Sequence, residues 1–132
     1  MNAAVRFVFN LTGNKRKLSI TPYLKKLHFL PVKVRIDFKI ALLAFKCLNG
    51  LAPKYLQDLI KLKQPNDSLR SSTDIFTLAF PAMEKLEYRR RKFSIAAPTV
   101  WNKLPMNLRN LTSIDKFKKQ LKTFYFSNYY DE

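Results

Sequence analysis

The sequence predicts a small, mainly α-helical domain of about five to six helices, with at most a short β-hairpin near residues 75–93. Three observations support this fold class. The 132-residue chain is 47% apolar and 14% aromatic, which is enough to furnish a core. Its apolar residues recur at intervals of three and four along several segments. Only 2 glycines occur, which argues against extended flexible linkers, so we expect one domain over residues 1–132.

The first half of the chain predicts four helices. Residues 2–11 form a helical segment that stops at Thr12-Gly13-Asn14, and its abrupt start suggests that the chain is truncated upstream. A short helix over residues 21–28 has Thr21 as its N-cap and Pro22 in its first turn. A long helix runs from Pro31 to Leu48 and ends at Asn49-Gly50. A fourth helix begins at Ala52-Pro53 and extends to about Leu62.

The helix over residues 31–48 is expected to be the central one. Helical spacing predicts a buried stripe, widened by Phe38, Leu42 and Phe45, whose members are Val32, Ile36, Ile40, Leu43 and Cys47. The charged side chains of this helix should then lie at its rim; they are Lys33, Arg35, Asp37, Lys39 and Lys46.

The second half, residues 65–132, begins with a turn-rich segment. Residues 75–80 form a brief strand that ends at Pro81 and could pair with residues 88–93. A helix over residues 93–104 is interrupted or started near Pro98 and terminated by Pro105. In it, Trp101 is expected to be a core anchor whose indole N–H finds a carbonyl, with base stacking as the alternative.

The last predicted helix has Ser113 as its N-cap and Asp115 in its first turn. Its two sides differ in character. Apolar residues repeat along one side, at Ile114, Phe117, Leu121 and Phe124. Lysines occupy the opposite side, at Lys116, Lys118, Lys119 and Lys122.

The charge balance points to an anionic partner. The chain has 25 Lys and Arg against 9 Asp and Glu, a formal charge of +16. Residues 1–64, the more basic helical half, hold 13 basic and 2 acidic side chains, whereas residues 65–132 hold 12 and 7. Nucleic acid is the first candidate partner, and a solvated cationic shell is the alternative.

The sequence does not predict an active site, and no cofactor is expected. No pair of adjacent aspartates is available for two-metal phosphoryl transfer, and the terminal Asp131-Glu132 is a poor substitute. The lone Cys47 excludes an internal disulfide and a multi-cysteine zinc site, and His28 is the only histidine. We expect Cys47 in the core and His28 packed on its helix or capping it.

Cysteine usage and apolar run lengths also bear on location. No apolar run approaches the roughly 20 residues of a membrane span, so no membrane partner is expected. With no secretory signal at residues 1–4, the sequence predicts an intracellular protein, nuclear or cytoplasmic.

Basic clusters next to aromatic residues are the candidate binding sites. They could neutralise phosphates, which would make affinity depend on salt. The predicted nucleic-acid-binding residues are Lys15, Arg16, Lys17, Lys25, Lys26, Arg89, Arg90, Arg91, Lys92 and Tyr88. Nearby, Tyr23 could stack on a base, whereas core packing is favoured for Phe29 and Phe93. The cluster at residues 89–92 could instead be a nuclear import signal or solvated charge.

A series of phrases along the chain resembles one protein family. They include Ile20-Thr21-Pro22-Tyr23-Leu24, Leu30-Pro31-Val32, Arg35-Ile36-Asp37-Phe38-Lys39, Lys46-Cys47-Leu48-Asn49-Gly50 and Ala97-Pro98-Thr99-Val100-Trp101-Asn102-Lys103-Leu104-Pro105. In order and spacing they resemble the C-terminal, post-thumb region of a LINE-type, non-LTR retrotransposon reverse transcriptase. The resemblance implies a helical appendage of an RNA-directed DNA polymerase, without the catalytic aspartates, that helps hold template RNA or target DNA.

Three hypotheses follow for the function. The first is a noncatalytic nucleic-acid-binding domain that contacts the phosphate backbone of RNA or DNA. The second is a structural module that packs on the upstream polymerase thumb, which an exposed apolar patch on the first helix would favour. The third is an orphan fragment without retained function.

Overall fold

The predicted helical periodicity is realised in a computed structural model, which describes residues 2–11, 19–63, 76–81 and 92–130. Within those residues the fold is mainly α, as predicted, and contains seven helices, two of them single turns of four residues. In chain order the helices are α1 (Asn2–Val8), α2 (Thr21–Lys26), α3 (Val32–Leu48), α4 (Lys54–Gln57), α5 (Phe93–Trp101), α6 (Met106–Arg109) and α7 (Ile114–Tyr130).

Three helices build the core, with α3 at the centre and α5 and α7 packed against it. Large aromatic side chains fill the space between them. The ring centroids of Phe45 and Phe117 are 4.3 Å apart and nearly parallel, and Trp101 lies 5.8 Å from Phe117. Ala41 and Ala44 on α3 and Ala97 on α5 are fully buried, and such small side chains let helix backbones approach closely.

The buried face of α3 differs from the predicted one. Val32 is 56% exposed and Ile36 54% exposed, so the N-terminal half of the predicted stripe faces outward. Of the predicted face, Phe45 and Cys47 are buried as expected, and Ala41 and Ala44, which were not predicted, are buried with them. The sequence pattern predicts that valine and isoleucine are buried before alanine, because their side chains are more hydrophobic. In the structure α3 packs closely on α5, and the small side chains of Ala41 and Ala44 allow that approach.

Asp37, predicted at the rim of α3, is half-buried, and its charge reaches Tyr125 on α7. Burial, and to a lesser degree the charge of Asp37, raises the pKa of the Tyr125 phenol.

Three helices end in the same hydrogen-bonded turn. At the ends of α1, α2 and α3, the residues with positive φ are Asn10, His28 and Gly50. In each, that residue's N–H and the next residue's N–H return to carbonyls of the last turn, for example Gly50 to Cys47 and Leu51 to Lys46. The predicted Asn49-Gly50 stop is confirmed, but α1 ends earlier than predicted, because Asn10 already provides the left-handed turn.

Two further helix boundaries predicted in the first half of the chain are wrong. The N-cap of α2 is Ile20 and not Thr21, because Thr21 is already helical, while Pro22 does lie in the first turn. The helix predicted for residues 52–62 ends at Gln57. Its remainder turns away because Leu62 pairs with Leu78 in an antiparallel β-bridge. Lys63 N–H donates to the Thr77 carbonyl and Ala79 N–H to the Lys61 carbonyl, both at 2.8 Å.

The segment around Leu78 is held from its other side by the end of α5. The side-chain amide of Asn102 accepts a hydrogen bond from Leu78 N–H at 2.9 Å and donates one to the Leu78 carbonyl at 3.0 Å. Beside it, the Trp101 indole N–H donates to the Phe76 carbonyl at 2.8 Å. Trp101 is 1% exposed, so the predicted core anchor and its carbonyl partner are both confirmed.

This pairing replaces the predicted hairpin as far as the described residues reach. Residues 82–91 lie outside them, so most of the proposed second strand cannot be compared. Phe93, its last predicted residue, is instead the first residue of α5. It is half-buried and packs against the core, as expected for a phenylalanine at that position.

The prolines near residue 100 act differently from the prediction. Pro98 lies inside α5 and neither starts nor interrupts it, and α5 ends at Trp101 rather than near Leu104. Pro105 is the N-cap of α6, a helix that the sequence pattern did not predict. Four residues are too few to show a period, so propensity alone could not reveal this turn.

The last helix agrees best with the prediction. Ser113 immediately precedes α7, and its carbonyl accepts the N–H of Phe117 at 2.9 Å, as an N-cap residue's carbonyl does. Phe117 and Leu121 are fully buried, and Ile114 and Phe124 pack against the core. Asp115 lies in the first turn, where it complements the helix dipole.

Replacing Asn102 tests the pairing with Leu78. Asn102→Ala removes both partners of the Leu78 backbone, and we expect the free energy of unfolding to fall by about 2 kcal/mol, because two partly buried polar groups lose their hydrogen bonds. Urea denaturation followed by circular dichroism measures the change. Asn128→Ala, at an exposed position of α7, is the control and should stay within about 0.5 kcal/mol of the wild type. An equally small effect of Asn102→Ala would contradict the assigned role.

The Tyr125 phenol predicts a loss of stability in alkaline solution. Its raised pKa means that the folded chain keeps this proton at a pH where the unfolded chain, with a phenol pKa of about 10, releases it. The contribution is complete below that pH and is lost as the pH rises through the folded-state pKa. Tyr125→Phe should therefore show a shallower decline in the free energy of unfolding above pH about 10.

Urea denaturation at several pH values measures that slope. Tyr55→Phe, at a tyrosine that is 68% exposed, is the matched control and should decline as the wild type does. If Tyr125→Phe declined as steeply as the wild type, the Tyr125 phenol would not be the group responsible.

Candidate nucleic-acid interface

Only part of the predicted binding set falls on described residues. Lys25, Lys26 and Lys92 are described and all three are exposed. Lys92 is the residue before α5, and its carbonyl accepts the N–H groups of Ile95 and Ala96. The predicted binding residues that lie outside the described part of the chain are Lys15, Arg16, Lys17, Tyr88, Arg89, Arg90 and Arg91.

Lys25 joins the last turn of α2 to the last turn of α7. Its Nζ donates to the backbone carbonyl of Tyr130 at 3.1 Å and lies 5.9 Å from the centroid of the Tyr130 ring. The carbonyls at a helix C-terminus lack intrahelical partners and carry partial negative charge, so an ammonium group is stabilising there. Lys25 thus has a structural contact in addition to its predicted binding role.

Two further contacts fix the same junction. The Tyr130 hydroxyl donates to the Phe29 carbonyl at 2.6 Å. The His28 ring stacks on Phe126, with centroids 5.4 Å apart and planes 12° from parallel. His28 therefore packs on α7 and also lies in the turn that ends α2. Burial raises the pKa of the Tyr130 phenol, and Tyr129 adds to this shift. Phe29 itself is 49% exposed, which corrects the expectation that it packs in the core.

A lysine face on α7 leads into this junction. Lys119, Lys122, Phe126 and Tyr130 follow one another at helical intervals of three and four, so they share one side of the helix. Lys118 adjoins that side, and Lys118, Lys119 and Lys122 are all exposed. Phe126 contacts His28 and Tyr130 contacts Lys25, so the lysine face of α7 leads to Lys25 and to its neighbour in sequence, Lys26.

We call this region the α7–α2 surface, defined by Lys118, Lys119, Lys122, Tyr129, Lys25 and Lys26. Lys118 and Lys122 lie one helical turn apart, about 6 Å along the axis, which is comparable to the spacing of phosphates in an extended strand. Tyr129 is 42% exposed and follows Lys122 by seven residues, so it lies on the same outer side. A row of cations ending in an exposed ring suits a polyanion that also offers flat groups for stacking.

Of the six residues that define this surface, the sequence analysis predicted only Lys25 and Lys26 as binding residues. The lysines of α7 were predicted only to oppose its apolar side. Tyr129 received no prediction at all. The signal that could have found it is the run of aromatic residues at the end of α7, because a tyrosine at a lysine-rich helix face adds stacking capacity. Tyr23, the aromatic expected near Lys25, is half-buried and contacts Phe9 at 5.0 Å between centroids.

Metal-binding groups do not come together in the described part of the chain. No three of its His, Cys, Asp and Glu side chains are placed so that they could hold a metal ion. Cys47 is a buried free cysteine, as expected, and burial raises the pKa of its thiol, which disfavours the nucleophilic thiolate. None of the helices in the described ranges combines the length and apolar character needed to cross a bilayer.

Comparisons with protein-family models, with curated proteins and with solved structures found no match to this chain. The α7–α2 surface is therefore interpreted from its own geometry and charge.

Proposed function

We propose that this chain is a noncatalytic nucleic-acid-binding domain that holds RNA or single-stranded DNA through its phosphate backbone. The observation that carries the proposal is the continuity of the lysine face of α7 with the lysine pair of α2. A net charge of +16 favours any polyanion, but a linear row of lysines favours an extended one. Tyr129 adds a ring on which an unpaired base could stack, which favours single strands over duplexes.

The resemblance to the post-thumb region of LINE-type reverse transcriptases supports a more specific version of this proposal. In that version the chain is an appendage of an RNA-directed DNA polymerase and holds template RNA or target DNA while the chemistry takes place elsewhere. Lysine contacts to phosphates position a nucleic acid without reading its sequence, so little sequence preference is expected. The clusters at residues 15–17 and 89–92 would extend the same contacts.

Charge reversal tests the α7–α2 surface. We expect Lys118→Glu/Lys122→Glu to weaken binding of a fluorescent single-stranded oligonucleotide by about tenfold or more at low salt. The slope of log K against log salt should become shallower by about 0.7 for each lost phosphate contact. Fluorescence anisotropy over a salt series measures both, with RNA and DNA of the same sequence.

The matched control is Lys54→Glu/Lys61→Glu, which makes the same change in net charge at two exposed lysines near α4. A second arm compares two exposed tyrosines: Tyr129→Ala should cost about 1–3 kcal/mol of binding free energy and Tyr55→Ala much less. Equal effects of both double variants would mean diffuse attraction and would contradict the site. If charge reversal of the clusters at residues 15–17 and 89–92 also left binding unchanged, the function itself would be refuted.

A second candidate function is favoured by a specific observation on α1. Phe7 is 84% exposed and Val8 62% exposed, while Val5 on the same helix is buried. Apolar groups exposed to this degree on neighbouring residues favour a surface that packs on another protein segment. The resemblance suggests the upstream polymerase thumb as that segment.

Co-purification tests this candidate. The chain should associate with the upstream catalytic segment of a related polymerase, and Phe7→Ser should abolish the association because it removes the most exposed apolar side chain. Phe80→Ser, at another exposed phenylalanine, is the control and should still associate. A complex that forms equally well with Phe7→Ser would exclude this surface from the contact.

A further inference from the structure

The outward side of α3 carries a regular stripe that neither proposed function uses. Its members are separated by four, three, four and three residues, and they are Val32, Ile36, Lys39, Leu43 and Lys46. This alternation is the spacing of the contact seam in a coiled coil. Val32 and Ile36 are more than half exposed, Lys39 is exposed, and Leu43 and Lys46 are half-buried. The stripe therefore remains largely accessible.

The stripe cannot be turned inward by rotating α3. The opposite side of the helix holds Ala41, Ala44 and Phe45, all fully buried against α5 and α7. Each side has its own regular set of residues, so α3 has two distinct packing faces. The inner face holds the domain together, and the outer face presents aliphatic side chains with lysines between them.

The charges of the outer face determine which partner fits. A second copy of the chain would bring the same stripe, which has no carboxylate to face Lys39 and Lys46, and a parallel pair would place like lysines close together, which is destabilising. A bilayer would have to accommodate ammonium groups within the apolar stripe. Nucleic acid would gain phosphate contacts, but valine, isoleucine and leucine offer no ring on which a base could stack. A partner helix with carboxylates opposite the two lysines satisfies both the aliphatic and the cationic positions.

We propose that the outer stripe of α3 binds an acidic amphipathic helix of another protein. The aliphatic residues of that helix pack on Val32, Ile36 and Leu43, and its Glu or Asp side chains face Lys39 and Lys46. Lys33 and Arg35 flank the stripe and add to the attraction for an acidic partner. A lysine within a seam sets the register and selects the partner, at a cost to affinity. This interaction does not depend on the α7–α2 surface.

A synthetic helical peptide tests the proposal. The probe has about three heptads, with leucine at its seam positions except for two glutamates placed to face Lys39 and Lys46. Fluorescence anisotropy should show this peptide binding about tenfold more tightly than a scrambled peptide of the same composition. Ile36→Asp should abolish the difference, and Tyr55→Asp, at another exposed apolar position, should retain it.

A charge exchange makes the test specific. Lys39→Glu should weaken binding of the acidic peptide, and a peptide with lysine in place of the facing glutamate should restore it. The melting temperature of Ile36→Asp should stay close to the wild-type value, because the side chain is exposed. Equal binding of the ordered and scrambled peptides would overturn the proposal. The proposal would also be overturned if the chain associated with itself and Ile36→Asp abolished that association. The same holds if single-stranded RNA or anionic vesicles bound the chain and Ile36→Asp abolished their binding.

Discussion

The fold depends on the hydrogen bonds with which the end of α5 holds the segment around Leu78. Among the described residues that segment has only one β-bridge, to Leu62, and no ladder that would satisfy its backbone. Asn102 supplies what a neighbouring strand would supply, one acceptor and one donor for the same residue, and Trp101 adds a donor for Phe76. Phe76 has a φ of 70°, in the left-handed region that a phenylalanine rarely adopts. The Trp101 bond stabilises this strained residue, so Leu78 can be buried beside the three central helices without a sheet.

This arrangement also explains why neighbouring residues in one short segment of the sequence make different kinds of contact. In Trp101-Asn102-Lys103-Leu104-Pro105, the indole ring and Leu104 fill the core, the amide pairs with Leu78, and the proline caps α6. The sequence predicted the tryptophan correctly because a large ring at helical spacing between apolar residues has few other places to go. It could not predict Asn102, because the partner of a side-chain amide lies 24 residues away and leaves no periodic signal.

The accuracy of the sequence-based prediction therefore differed from element to element for physical reasons. The start of α7 and the end of α3 were predictable, since apolar spacing, an N-cap serine and a glycine with positive φ act locally. The outward position of Val32 and Ile36 and the early end of α4 were not, because they depend on the close packing of alanines and on the Leu62–Leu78 bridge, which are tertiary contacts. The candidate site likewise combines residues that local signals predict with residues that only tertiary contacts bring together. Charge and composition made Lys25 and Lys26 candidate binding residues, but only the contacts of Tyr130 and Phe126 relate them to the lysines of α7.

The same contacts place the two candidate interfaces on neighbouring parts of one scaffold. The α7–α2 surface depends on Tyr130 and Phe126 at the end of α7, and α7 packs directly on α3, whose other side carries the outer stripe. The charge of Asp37 on α3 acts on the Tyr125 phenol on α7, so the two helices also interact electrostatically. Close-packed interiors transmit displacement between elements that share such contacts. An acidic helix bound to the outer stripe of α3 would lower the positive potential that attracts a phosphate backbone to the α7–α2 surface. The two proposed ligands would therefore oppose each other electrostatically although they bind different helices.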